Sequence, residues 1–173
     1  MKLFFKRFLI VLLVAFVVIQ FFRIDKNVSV AVAVNDISTK YALPEDVHTI
    51  LKASCYDCHS NNTTYPWYNN IQPVAWYLAD HVKEGKKELN FNEFASYRIA
   101  KQYRKLEEII NELEMDEMPL ESYTLIHGGT KLNMDQKTKL FAWATDLRDT
   151  IKARYPADSL IRKPKAQSAP VKS

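Results

Sequence analysis

Cys55-Tyr56-Asp57-Cys58-His59 constrains this chain more than any other stretch. It holds both of the chain's cysteines and sets a histidine directly after them. Two thiols separated by two residues, with an imidazole next in line, form the attachment sequence for a c-type haem. Each thiol adds across one vinyl group of the porphyrin to give a thioether, and the imidazole that follows is then placed to ligate iron. A chain that does this must fold round a flat apolar group.

Three other chemistries use parts of the pattern. A disulfide redox motif places C-x-x-C at a strand-to-helix junction, and little in this chain alternates like a strand. A zinc site needs four donors, which here would be Cys55, Cys58 and two of His59, His81 and His127. No second cysteine pair supports it. A plain structural disulfide leaves His59 without a role.

Composition narrows the class further. Only three glycines in 173 residues argue against a phosphate-cradling loop or a turn-rich β-sandwich. The net charge of +4 is small, and its basic residues sit at the two ends of the chain. No basic, aromatic-interleaved face appears in the middle, so a nucleic-acid partner is not expected.

The N-terminus carries Lys2, Lys6 and Arg7 before an apolar run from Phe8 to Ile19, continued by Phe21 and Phe22. As a helix this approaches the ~20 residues that span a bilayer. A transmembrane anchor is therefore expected over 1–22, with a cleaved signal peptide as its rival at Ala31-Val32-Ala33. The basic flank favours a cytoplasmic N-terminus. The expected location is single-pass in the inner membrane, with the body on the extracytoplasmic, periplasmic side.

Residues 23–43 read as an extended linker, 44–155 as the folded body and 156–173 as a disordered tail rich in Lys, Pro, Ser and Ala. Pro44-Glu45-Asp46 opens a helix that buries Val47, Ile50, Leu51 and Ser54 and delivers the chain into Cys55. Pro73 starts another helix. Its stripe of Val74, Tyr77, Leu78, His81 and Val82 keeps helical spacing, and Gly85 reads as its stop. His81 is thus placed on an apolar face, as a second candidate haem ligand or a core histidine. His48 is a weaker candidate. A long helix is expected from an N-cap at Asn92 to Met115, with a break near 100–102 and an inner stripe of Leu106, Ile109, Ile110 and Leu113. Asn133 and Gln136 suggest a capping box for a last helix, striped by Leu140, Ala144, Leu147 and Ile151. The body is all-α.

Two further stretches bear on the haem reading. Trp67, in the aromatic loop after the motif, is expected to wall the macrocycle. Met118, just past a helix end and stiffened by Pro119, offers a soft thioether to the far side of the iron, with Met115 in reserve. From Glu107 to Glu121 the chain carries seven acids and no Lys or Arg, an arrangement suited to steering a basic redox partner.

These residues resemble a known family: the haem-binding domain family of small, membrane-anchored bacterial c-type cytochromes. The likeness runs through Cys55-Tyr-Asp-Cys-His-Ser60, Thr64-Tyr-Pro-Trp-Tyr68, Ile71-Gln-Pro-Val-Ala-Trp76 and Asp80-His-Val82. It continues through Leu89-Asn-Phe91, Met118-Pro-Leu120 and Tyr123-Thr-Leu-Ile-His127, over roughly residues 44–150. The resemblance implies a helical, cytochrome c-like fold around one covalent haem c. By it Cys55 and Cys58 hold the haem, His59 is the proximal ligand and Met118 the distal one, with His81 inside the shared pattern. The function so implied is single-electron transfer by a carrier rather than an enzyme. Two rivals remain: a haem peroxidase or gas or redox sensor with an open sixth position, and a structural zinc or disulfide module of an envelope assembly.

Overall fold

The computed structural model describes residues 1–161, and among them only helices and short 3-10 turns form, with no strand beyond one isolated bridge. The all-α expectation holds. The expected spanning helix does not. The first helix, α1 (Lys2–Ile19), has 18 residues, about 27 Å at ~1.5 Å per residue. Lys2, Lys6 and Arg7 fall inside it, so its uncharged part is shorter than the ~30 Å hydrocarbon core. No helix among the described residues is long and apolar enough to cross a membrane. That overturns the transmembrane helix and, with it, the single-pass inner-membrane location.

The stretch after α1 is not a free tether. Asn27 donates from its side chain to the Ser60 carbonyl at 3.0 Å and to Thr63 Oγ1 at 2.9 Å. Val28 bridges Asn62, and Ile37 is completely buried in the main core. The segment is a strap laid over the loop that follows the cysteine motif. Its alternating valines at 28, 30, 32 and 34 are exposed. The residues that anchor it are Asn27 and Ile37, outside that alternation.

α2 (Glu45–Ser54) forms as its sequence dictates, with Glu45 and Asp46 in the first turn and Val47, Ile50, Leu51 and Ser54 buried. It runs directly into the short turn α3 (Tyr56–His59). The next helix, α4 (Val74–Glu88), does not stop at Gly85 but continues one turn further. Asn90, not Asn92, is the cap that follows, its side chain accepting from the Asn92 amide. The break in the next segment falls at Tyr97–Arg98, between a 3-10 turn at Phe91–Ser96 and α5 (Ile99–Glu114).

A short helix not foreseen in the sequence, α6 (Glu121–Ile126), follows the Met118-Pro119 corner. The last, α7 (Met134–Arg154), opens with the expected Asn133/Gln136 capping box. Its stripe packs chiefly along α5 and also touches α2. Leu106, Leu140, Ala144 and Ile151 are the sealed centre of that contact. Tail residues Ala157–Leu160 form a 3-10 turn against α5, so the expected disorder does not begin at 156; the remainder of that tail lies outside the described residues.

Candidate functional site

α2 and α3 meet at Cys55, whose carbonyl accepts from the amides of Cys58 at 3.2 Å and His59 at 2.9 Å. This tight turn puts two thiols and an imidazole on one short arc. Both thiols are free and half-buried. Burial pushes the Cys55 thiol up to about 12, with the Cys58 sulfur adding to the effect, and it pushes Cys58 up to about 11, with help from Asp57. Thiols that exchange disulfides depend on a depressed pKa, so this pair is unsuited to that work.

Two adjoining cavities of about 190 and 210 Å3 flank the arc. They share Ser54, Cys55, His59, Glu88, Met118 and Pro119 as common wall. The first reaches into the core through Leu51, Leu89, Phe91, Leu113 and Leu140; the second opens towards α4 through Cys58, His81 and Gly85.

His59 is oriented by its backbone neighbour. Its Nδ1 lies 3.0 Å from the Leu89 carbonyl, so Nδ1 donates and, in the neutral ring, Nε2 carries the lone pair. Desolvation holds this imidazole below its ordinary range, against the pull of the Leu89 and Gly85 carbonyls, so it is kept neutral. A neutral ring with one nitrogen tied to a carbonyl is the form in which histidine binds a metal.

Gly85 sets how closely α4 approaches the arc. A Cβ there would lie 2.8 Å from the Cys58 carbonyl oxygen and 3.1 Å from Cys58 Cβ. The glycine read as a helix stop is instead a mid-helix contact that only hydrogen fits.

The far wall is held by α6. Tyr123 donates to Asp57 Oδ2 at 2.7 Å and stacks on His127 with ring centroids 4.2 Å apart. His127 Nε2 in turn meets the Tyr68 hydroxyl at 3.1 Å. Asp57, inside the motif, therefore ties the segment carrying Met118 to the segment carrying the cysteines. Tyr123→Phe is expected to cost about 1.5 kcal/mol, as befits one hydrogen bond to a carboxylate. A lowered urea midpoint at constant m checks this.

The structure thus brings together Cys55, Cys58, His59, Met118 and His81 on one pair of cavities. His81 is half-buried, its Nδ1 bonded to its own helix at the Tyr77 carbonyl, 2.8 Å away. Its stripe is looser than expected, since Val74 and Tyr77 are exposed; that face turns towards a third, aromatic pocket rather than the close-packed core. Trp67 is not at the cavities: it is 77% exposed and packs edge-on against Tyr68. Met115 is exposed as well, and His48 leans on Tyr56 away from both cavities.

Sequence reasoning missed Lys105, whose side chain is 3% exposed on the first cavity's wall. The signal was its position one residue before Leu106 and four before Ile109, on the inner stripe of α5.

The donor set fits haem: two thiols, a neutral imidazole and a thioether line one apolar, two-lobed cavity. It fits zinc poorly, since no group of three or more His, Cys, Asp or Glu converges among the described residues. Fold and site define an all-α protein that closes round a porphyrin. The family model described as haem-binding domain matches residues 14–146; the chain belongs to that family and binds haem. No curated protein and no solved structure matches it.

Proposed function

We propose that this protein is a mono-haem c-type cytochrome that carries single electrons. The observation behind this reading is the placing of both thiols and His59 on one arc that borders the Met118-lined cavity. The bound haem supplies a one-electron iron couple.

The chain's own groups do the rest. Cys55 and Cys58 would hold the haem by adding across its two vinyl groups, each thiol hydrogen passing to the vinyl carbon, so that no oxidant would be consumed. High thiol pKa values keep both sulfurs protonated until that reaction. His59 would hold the iron through Nε2, its ring oriented by the Leu89 carbonyl. Met118 would offer its thioether as the second ligand. Leu51, Leu89, Phe91, Leu113 and Leu140 exclude water, which favours small reorganisation when charge changes.

No acid/base constellation for a substrate is needed by a carrier, and the chemistry rests with the iron. The acidic run from Glu107 to Glu121 is partly neutralised: Glu107 pairs with Arg148, Glu108 with Arg104 and Lys105, and Asp116 with Lys137. Glu112, on the wall of the first cavity, and Glu114, Glu117 and Glu121 form no ion pair among the described residues, and a redox partner with a basic face fits them.

Covalent haem staining on a denaturing gel, followed by the oxidised and reduced visible spectra, tests the reading. A six-coordinate low-spin spectrum with a methionine–iron charge-transfer band is expected. An unstained chain sinks the c-type assignment, and a five-coordinate spectrum favours a peroxidase or gas sensor. Met118→Ala is expected to erase the charge-transfer band and lower the reduction potential. An unchanged redox titration would transfer the distal role to His81, on the same cavity.

A further inference from the structure

The cavity wall contains one cation that the iron ligands do not explain. Lys105 is 3% exposed, and its stem is enclosed by the α5 face that lines the first cavity. Burying an ammonium is costly unless it is paired. Its partners are Glu88, at 3.0 Å, and Glu108, with side chains 66% and 37% exposed. Replacing a buried ion pair by well-packed apolar side chains is often neutral or stabilising, so the pairing alone does not account for a lysine here.

The charges around it balance closely. Glu88 comes from α4, Glu108 and Glu112 from α5, and Lys101 and Arg104 lie on the same side of α5 as Lys105. Glu108 is shared between Arg104 and Lys105. Glu88, 66% exposed, can swing into solvent and leave its place at the ammonium to a carboxylate inside the cavity. Haem of any type carries two such carboxylates, its propionates.

We propose that Lys105 anchors a haem propionate and so fixes the carboxylate-bearing edge of the porphyrin against α5, with Glu88 as the stand-in that this propionate displaces. The proposal rests on haem occupying this cavity and does not depend on the thioether bonds.

The test is resonance Raman spectroscopy of the full-length haem-loaded protein, read at the propionate bending mode, whose frequency follows the hydrogen bonding of the carboxylate. Lys105→Met shifts the mode to lower frequency, and Lys105→Arg restores it. Glu88→Gln leaves the mode at its wild-type frequency, because the propionate has already displaced that carboxylate from the ammonium. If Lys105 served only to pair with Glu88, Lys105→Met would leave the mode where it is. No downward shift in Lys105→Met, or a downward shift in Glu88→Gln, overturns the proposal. A wild-type spectrum without histidine-ligated haem would overturn the site itself instead.

Discussion

Replacing Cys55 and Cys58 together by alanine is expected to yield a chain without covalent haem and with most of its stability gone. The reason is the volume that the haem fills. The cavities of about 190 and 210 Å3 run along α2, α4 and α5 and have largely apolar walls. At ~24 cal/mol per Å3, one such cavity left empty costs about 4–5 kcal/mol. A domain of this size has only ~5–15 kcal/mol in total. Non-covalent contacts, His59 and Met118 among them, would then hold any haem that enters, reversibly. A negative haem stain with a thermal midpoint many degrees below wild type is the expected pair of results. A variant as stable as wild type would mean that the helices close without the porphyrin.

Gly85→Ala is the second substitution with a large expected effect, and its sign is decided by two opposed terms. Alanine favours a helix interior by about 1 kcal/mol over glycine. Against this, the new methyl would sit 2.8 Å from the Cys58 carbonyl oxygen, a backbone atom inside the attachment arc. Overpacking of that kind costs about 1–3 kcal/mol, and the neighbour is not a flexible side chain that can swing away. The clash wins, and α4 must back off or Cys58 must move. Either shift would carry the Cys58 sulfur out of reach of the vinyl group that the proposed attachment requires. The expected product is a several-fold loss of doubly attached haem, with Cys58 open to alkylation in a fraction of the chains. Mass spectrometry of alkylated protein reads this directly. Full double attachment, with no loss of stability, would show that the arc tolerates displacement.

Much of the local structure was legible because it depends on near neighbours. The acids after Pro44, the apolar spacing from Val47 to Ser54, and the reciprocal Asn133 and Gln136 side chains each act within one or two turns of chain. Those elements formed where the pattern placed them. Gly85 was misread because a glycine near a helix end has two readings, a stop or a close contact, and only the neighbour across the gap chooses between them. Trp67 followed the cysteine motif closely in sequence, yet the 3-10 turn at Trp67–Asn70 carries its ring outwards. The strap from Asn27 to Tyr41 ignores its own alternating valines; its path follows from the bonds of Asn27 to the loop at Ser60–Tyr65. α1 met the composition of a membrane span, but its charged first turns shorten the apolar length below what a bilayer requires.

By itself the sequence set which donors could be proposed, since only one pair of thiols and one adjacent imidazole exist at that spacing, and it determined the helical class through short-range periodicity. Which other side chains reach the cavity was decided by tertiary packing alone. Met118, Tyr123, Gly85 and Lys105 come to the cavities from α4, α5, α6 and the α5–α6 corner. No local rule links those positions, because contacts between segments far apart in the chain depend on how helices cross, and that is fixed only when the whole core closes.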